Sequence, residues 1–222
     1  MNRITNFYTS SVGRKLLMGL TGLFLCSFLV IHLYINLFLF KGDGGNSFDV
    51  YAEFLATYPL LRPLEIILFA GFLLHAVIGT WLWIVNRRVR PRNYAVNTAS
   101  DTSALSSRIA FITGAIVAVF LVVHIKTFFV SSRFFPTGKT MYEIVAEAFR
   151  NPWYVAFYLI ALVFLGYHLK HGVQSAFQTF GLRTGKYQAL IDLIAVIFWL
   201  IIPLGFAAIP LYFLWAHLTG VN

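Results

Sequence analysis

The stretch WYVAFYLIALVFLGYHLKHGVQSAFQ, residues 153–178, decides the fold. It contains no acid and a single lysine, Lys170. It is long enough to cross the hydrocarbon core of a bilayer, which takes about 20 apolar residues. Near its middle sits His168, and an imidazole in lipid is costly unless it has a partner. Four more stretches of the same kind run from Val12 to Phe40, Leu64 to Asn86, Ile109 to Ser131 and Gln188 to His217. The composition agrees: of 222 residues, 59% are hydrophobic and 11% charged, against about 25% charged in a soluble domain. The sequence therefore predicts an all-α polytopic membrane protein, with residues 1–222 forming one domain of five transmembrane helices. The first helix is too long for a signal-peptide apolar region and no small-residue cleavage site follows it, so it is expected to be retained.

The net charge of +9 orients these helices. One set of segments holds Arg3, Arg14, Lys15, Arg87, Arg88, Arg90, Arg92, Arg108, Arg183 and Lys186 against one acid, Asp101. The alternate loops hold Lys41, Arg62, Arg133, Lys139 and Arg150 against Asp43, Asp49, Glu53, Glu65, Glu143 and Glu147. The positive-inside rule puts the first set in the cytoplasm, with the N-terminus inside and the C-terminus outside. The arginine-rich NRRVRPRNY (residues 86–94) also offers a docking face for an anionic soluble partner. Nucleic acid is not expected, because the basic residues flank spans and form no separate domain.

Three other spans carry a central histidine of their own: His32, His75 and His124. His32 lies eight residues before Phe40 and His124 nine before Arg133. At about 1.5 Å rise per residue, both sit roughly 12–14 Å below the outer edge. His75 lies twelve residues before Arg87 and His168 thirteen before Gly181. Both then sit roughly 18–20 Å above the inner edge. The depths match in pairs, His32 with His124 outside and His75 with His168 inside. Two histidine pairs inside a helix bundle are what two haems need, each iron gripped from either side.

The remaining residues bound the cofactor. The lone cysteine, Cys26, can form neither an internal disulfide nor an iron–sulfur cluster, and there is no C-x-x-C-H for covalent haem attachment. No Rossmann fingerprint or P-loop is present. Gly71 and Gly79 lie four residues on either side of His75, and Gly172 four after His168, where they are expected to let a flat group approach the backbone. Ordinary helix contact is the competing role for such glycines. Lys126, Lys170, His171 and Arg14 are polar groups in or at the ends of spans and are available for haem propionates, although snorkelling to the headgroups also suits the lysines. His171 can serve as ligand, propionate partner or quinone-site residue. The fifth helix, with Pro203 and Pro210 and no central histidine, is expected to pack outside a four-helix haem core.

These segments resemble the cytochrome b subunit of succinate dehydrogenase and fumarate reductase, respiratory complex II, in its single-chain form with five helices and two haems. The resemblance is carried by SSVGRKLLMGLTGLFL leading to His32, by His75 followed by NRRVRPRNY, by VVHIKTFF around His124 and by GYHLKHGVQSAFQTFG around His168. It implies axial ligands at His32, His75, His124 and His168. In the family the helix-four ligand precedes a glycine by four residues, which selects His168 over His171. It implies flavoprotein and iron–sulfur partners on the cytoplasmic face of a bacterial inner membrane. Electrons would pass from the iron–sulfur protein through two b-type haems to a quinone near the outer side, menaquinone being favoured by the two-haem type. Some fumarate-reducing members carry an intramembrane glutamate two residues before the helix-four ligand, where this chain has Gly166, and this tilts the expectation towards succinate oxidation. An outer acid after helix one lies near the quinone in the family, and Glu53 is the match, ahead of Glu65. The alternatives are the cytochrome b of a hydrogenase or formate dehydrogenase, and a non-redox transporter or scaffold.

Overall fold

The computed structural model of the chain describes residues 10–89 and 110–221. Five helices are long and apolar enough to cross a membrane: Val12–Phe40, Leu61–Arg88, Ala110–Phe134, Pro152–Thr179 and Gln188–Thr219. No strand occurs among the described residues. The chain is an all-α polytopic membrane protein, and the observed spans differ from those read off the hydropathy by at most three residues at either end. Arg3, Arg90, Arg92, Asp101 and Arg108 lie outside the described residues.

Local signals set the helix ends. The Ser10 hydroxyl accepts from the Gly13 amide at 3.0 Å and starts the first span. Asn151 caps the fourth, with Pro152 in its first turn, where a missing N–H costs nothing. Two spans contain a π-helical turn, Ile125–Val130 immediately after His124 and Ile197–Ile201 in the fifth. Such turns in membrane helices frequently sit at functional sites. The second precedes Pro203, which denies the Trp199 carbonyl its usual amide partner four residues on.

The first span packs against the second and the fourth, and the third packs against the fourth and, along a thinner seam, the second. Spans one and three therefore stand on one diagonal of a four-helix ring, and spans two and four on the other. Between apolar helices in lipid, close packing rather than the hydrophobic effect drives association. The fourth span does most of this, burying Val155, Tyr158, Ala161, Leu162, Leu165, Leu169, Val173 and Ala176. The second buries none of its described residues. The fifth lies outside the ring against the fourth and first, as expected, but it is not remote from the histidines: Phe206 reaches the ring of His32 at 5.5 Å.

Two short helices, Asn46–Thr57 and Met141–Ala148, close one end of the bundle where the sequence reading expected loops. A reciprocal capping box between Thr140 and Glu143 starts the second of them. The Tyr142 amide donates to Asp49 Oδ1 at 2.8 Å and ties the two together. Gly45, at φ 87°, leaves room for the Tyr142 ring in a backbone conformation that other residues resist. Hydrogen bonds from Ser47 hold the Asp43 carboxyl below the usual carboxylate range.

Candidate functional site

The bundle brings the central histidines together along its diagonals. His32 and His124 have ring centroids 5.8 Å apart with planes at 87°. His75 and His168 have centroids 6.2 Å apart with planes at 80°. A metal held between two imidazoles, with bonds of about 2.0–2.1 Å, needs roughly 6.3 Å between ring centres. Twist between the planes is no obstacle, because each ring plane contains its own metal–nitrogen axis. The two pairs fit this spacing.

The Nδ1 contacts extend the fit. The Thr21 hydroxyl donates to Leu17 O at 2.9 Å, shared with Met18 O at 3.1 Å, so its single proton is used. With that proton on the carbonyls, the threonine oxygen is the acceptor at its 3.1 Å contact with His75 Nδ1, the arrangement that leaves the lone pair of His75 on Nε2. Thr113, 1% exposed, repeats the arrangement: it donates to Ala110 O and stands 3.4 Å from His168 Nδ1. His124 Nδ1 lies 3.1 Å from the Tyr158 hydroxyl. His32 differs: the Asn36 side-chain nitrogen, a donor only, stands 3.4 Å from its Nδ1, so this contact does not place the lone pair on Nε2 as the other three do, and the ring is held by Phe28 and Phe206. Interhelical hydrogen bonds in membranes average about 0.6 kcal/mol, too little to hold a bundle together. Their effect here is to orient the rings and select a tautomer, as the outer partners of metal ligands do.

The glycines divide between the two roles foreseen for them. A side chain at Gly71 would strike Phe24, and one at Gly79 would meet Met18. Both are contact points between spans one and two, which corrects their expected role beside a flat ligand. Gly172 has no neighbouring atom within 4 Å of the position of a Cβ, so room exists there. Two glycines that the sequence reading missed do serve the site: Gly22 accommodates the ring of His75, and Gly114 that of His168. Each lies on a neighbouring span, and no spacing within one helix announces it.

The family model for the succinate dehydrogenase/fumarate reductase transmembrane subunit matches residues 84–204. The chain belongs to this family. It is also similar to the succinate dehydrogenase cytochrome b558 subunit of Bacillus subtilis, at 24% identity over 180 residues, covering 76% of this chain and 83% of that one. No solved structure matches the chain. Family membership sets aside the transporter and the hydrogenase or formate dehydrogenase cytochrome as readings.

The other residues expected at the site have the following surroundings. Arg14 lies over Trp81 at 5.5 Å, and Arg87 over Trp83 at 5.2 Å, at the end of the bundle opposite the short helices. Lys170 sits 4.9 Å from the Trp199 ring, on the side of the fifth span. Lys126 is exposed on the π turn after His124. His171 is half-buried and makes no hydrogen bond or ring contact among the described residues. Glu53 is exposed on the Asn46–Thr57 helix, while Glu65 is engaged by Arg62 at 3.3 Å and Arg133 at 3.9 Å. Both arginines also donate to Ala56 O, which fastens the short helix to spans two and three. Beside that helix lies a groove of about 490 Å³ lined by Phe38, Lys41, Val50, Tyr51 and Phe54.

Proposed function

We propose that this chain is the dihaem cytochrome b anchor of a succinate:quinone oxidoreductase. His32 and His124 would hold one b-type haem and His75 and His168 the other. When bound, the haems supply one-electron chemistry between an iron–sulfur partner and a quinone. The observation that carries the reading is the pair of diagonal histidine contacts at 5.8 and 6.2 Å, spaced for a shared metal. The chain's own task is to fix those rings, exclude water from them and shape a quinone site.

The flavoprotein and iron–sulfur partners would dock on the face carrying Arg14, Lys15, Arg87, Arg88, Arg183 and Lys186, which the charge bias assigns to the cytoplasm of a bacterial inner membrane. The quinone, menaquinone by the resemblance to two-haem anchors, would bind towards the outer pair, where the groove beside Tyr51 and Phe54 offers room. Succinate oxidation is favoured by Gly166. A Cβ there would stand 2.7 Å from the Trp199 carbonyl oxygen, so no glutamate fits at the position where some fumarate-reducing members carry one.

The deciding experiment is a reduced-minus-oxidised visible spectrum with a pyridine haemochrome assay on the purified protein. Two low-spin haems per chain are expected. One haem or none refutes the reading.

A further inference from the structure

Beside His124 the hydroxyl contacts continue into a chain, and counting protons gives the chain a direction. Tyr154 Oη donates to Thr127 Oγ1 at 2.9 Å, which uses its only proton. At the 3.1 Å contact between the tyrosines, Tyr154 therefore accepts and Tyr158 donates. Tyr158 then has no proton left for the imidazole, and at 3.1 Å its oxygen accepts from Nδ1–H of His124. The lone pair of His124 is left on Nε2. Tyr158 is 5% exposed and is wedged by the rings of Phe120 and Phe149 at 4.9 and 5.0 Å, so its hydroxyl cannot swing to water.

We propose that Tyr158, directed by Tyr154 and Thr127, is a positioning residue that locks His124 as the Nδ1–H tautomer and would strengthen it as a ligand to haem iron. The proposal rests on the haem reading above. Linked hydrogen bonds polarise one another in a low-dielectric interior, so a chain of three hydroxyls is a better acceptor than one. Thr21 and Thr113 each end on a carbonyl of their own helix, and His32 faces only an amide nitrogen at 3.4 Å. The outer pair is thus unequal, with one ligand held by a polarised chain and the other by aromatic packing. A stronger donor ligand favours the oxidised iron and lowers the reduction potential of that haem.

The test is a redox titration of the assembled complex, followed by visible and electron paramagnetic resonance spectra. Tyr158→Phe keeps the ring and removes the acceptor. It should retain two haems, raise the midpoint potential of one and change that haem's resonance signature, leaving the other untouched. Tyr154→Phe frees the Tyr158 proton to turn and should give a smaller shift of the same sign. If Tyr158→Phe does not assemble, Tyr154→Phe and Thr127→Val carry the test. Unchanged potentials and spectra with both haems bound would overturn the proposal, as would equal shifts of both haems. Failure of the underlying reading looks different: the unmutated complex would then hold fewer than two haems, or His124→Ala would retain both with normal spectra.

Discussion

A carbon added at Gly114 would stand 3.0 Å from Cε1 of His168, so the third span presents bare backbone to the imidazole of the fourth. The same relation holds more loosely between Gly22 and His75, at 3.3 Å. These glycines let the Cε1 edge of the ring approach its neighbouring helix while Thr113 and Thr21 stand beside its Nδ1. A branched side chain at Gly114 must push the ring away, and overpacking of this kind costs about 1–3 kcal/mol. Gly114→Val should therefore lose the inner haem and keep the outer one, halving the haem content. Gly172→Val meets no protein atom and should fold, yet it should also lose the inner haem, because Gly172 shares a face with His168 one turn away. Two haems per chain in Gly172→Val would remove that residue from the site.

Helix four offers two histidines, and their surroundings separate them. His168 pairs with His75 and stands beside Thr113, whereas His171 has no ring contact among the described residues. His168→Ala should lose one haem, and His171→Ala should keep two. Haemochrome assays on the two purified variants check this, and the reverse pattern would make His171 the ligand.

The pairing of the histidines was legible because depth in a membrane follows from position along a helix, so counting residues to the span ends was enough to match His32 with His124 and His75 with His168. The spans themselves followed from hydropathy. What sequence could not give was contact between helices. Gly22 and Gly114 look no different from Gly71 and Gly79 until the helices are packed, and Thr21, Thr113 and Tyr158 look like any other hydroxyls in a span. The short helices that close one end of the bundle were half legible. The capping box of Thr140 and Glu143 announces one of them, but the eight residues of Met141–Ala148 are too few for a clear period.

Sidedness can be checked with the chain's own chemistry. Cys26 is its only cysteine and is 7% exposed inside the first span, so it should stay silent to a membrane-impermeant maleimide. Lys139 is paired with Glu147 at the exposed surface, where solvent screens the pair and it can be given up. Lys139→Cys should label in intact cells, and Lys186→Cys only after lysis. Arg88→Cys should label in lysed membranes of the anchor alone and be protected in the assembled complex. Labelling of Lys186→Cys from outside would invert the topology and move the docking face with it.

Quinone reduction consumes two protons, and a carboxylate relay suits a site at the outer surface. Of the six acids that the charge bias assigns to that side, Glu53 and Glu65 are the two the family resemblance singles out, and their partners distinguish them. Glu65 bridges Arg62 and Arg133 and so helps to fasten spans two and three to the short helix. Glu53 is exposed, and no partner engages its side chain among the described residues, so it can exchange protons without breaking an ion pair. It stands next to Phe54 in sequence, on the helix whose Val50, Tyr51 and Phe54 line the groove described above. Glu53→Gln should leave both haems bound and reducible by succinate while slowing quinone reduction by roughly 10²-fold, the lower end of general acid–base contributions. Glu65→Gln should instead loosen the outer cluster and lower stability before it affects turnover. The measurement is succinate-to-quinone turnover with haem reduction followed in the same preparation. Normal turnover in Glu53→Gln would remove this residue from proton delivery, and inhibitor bound beside His75 and His168 would move the quinone to the inner side.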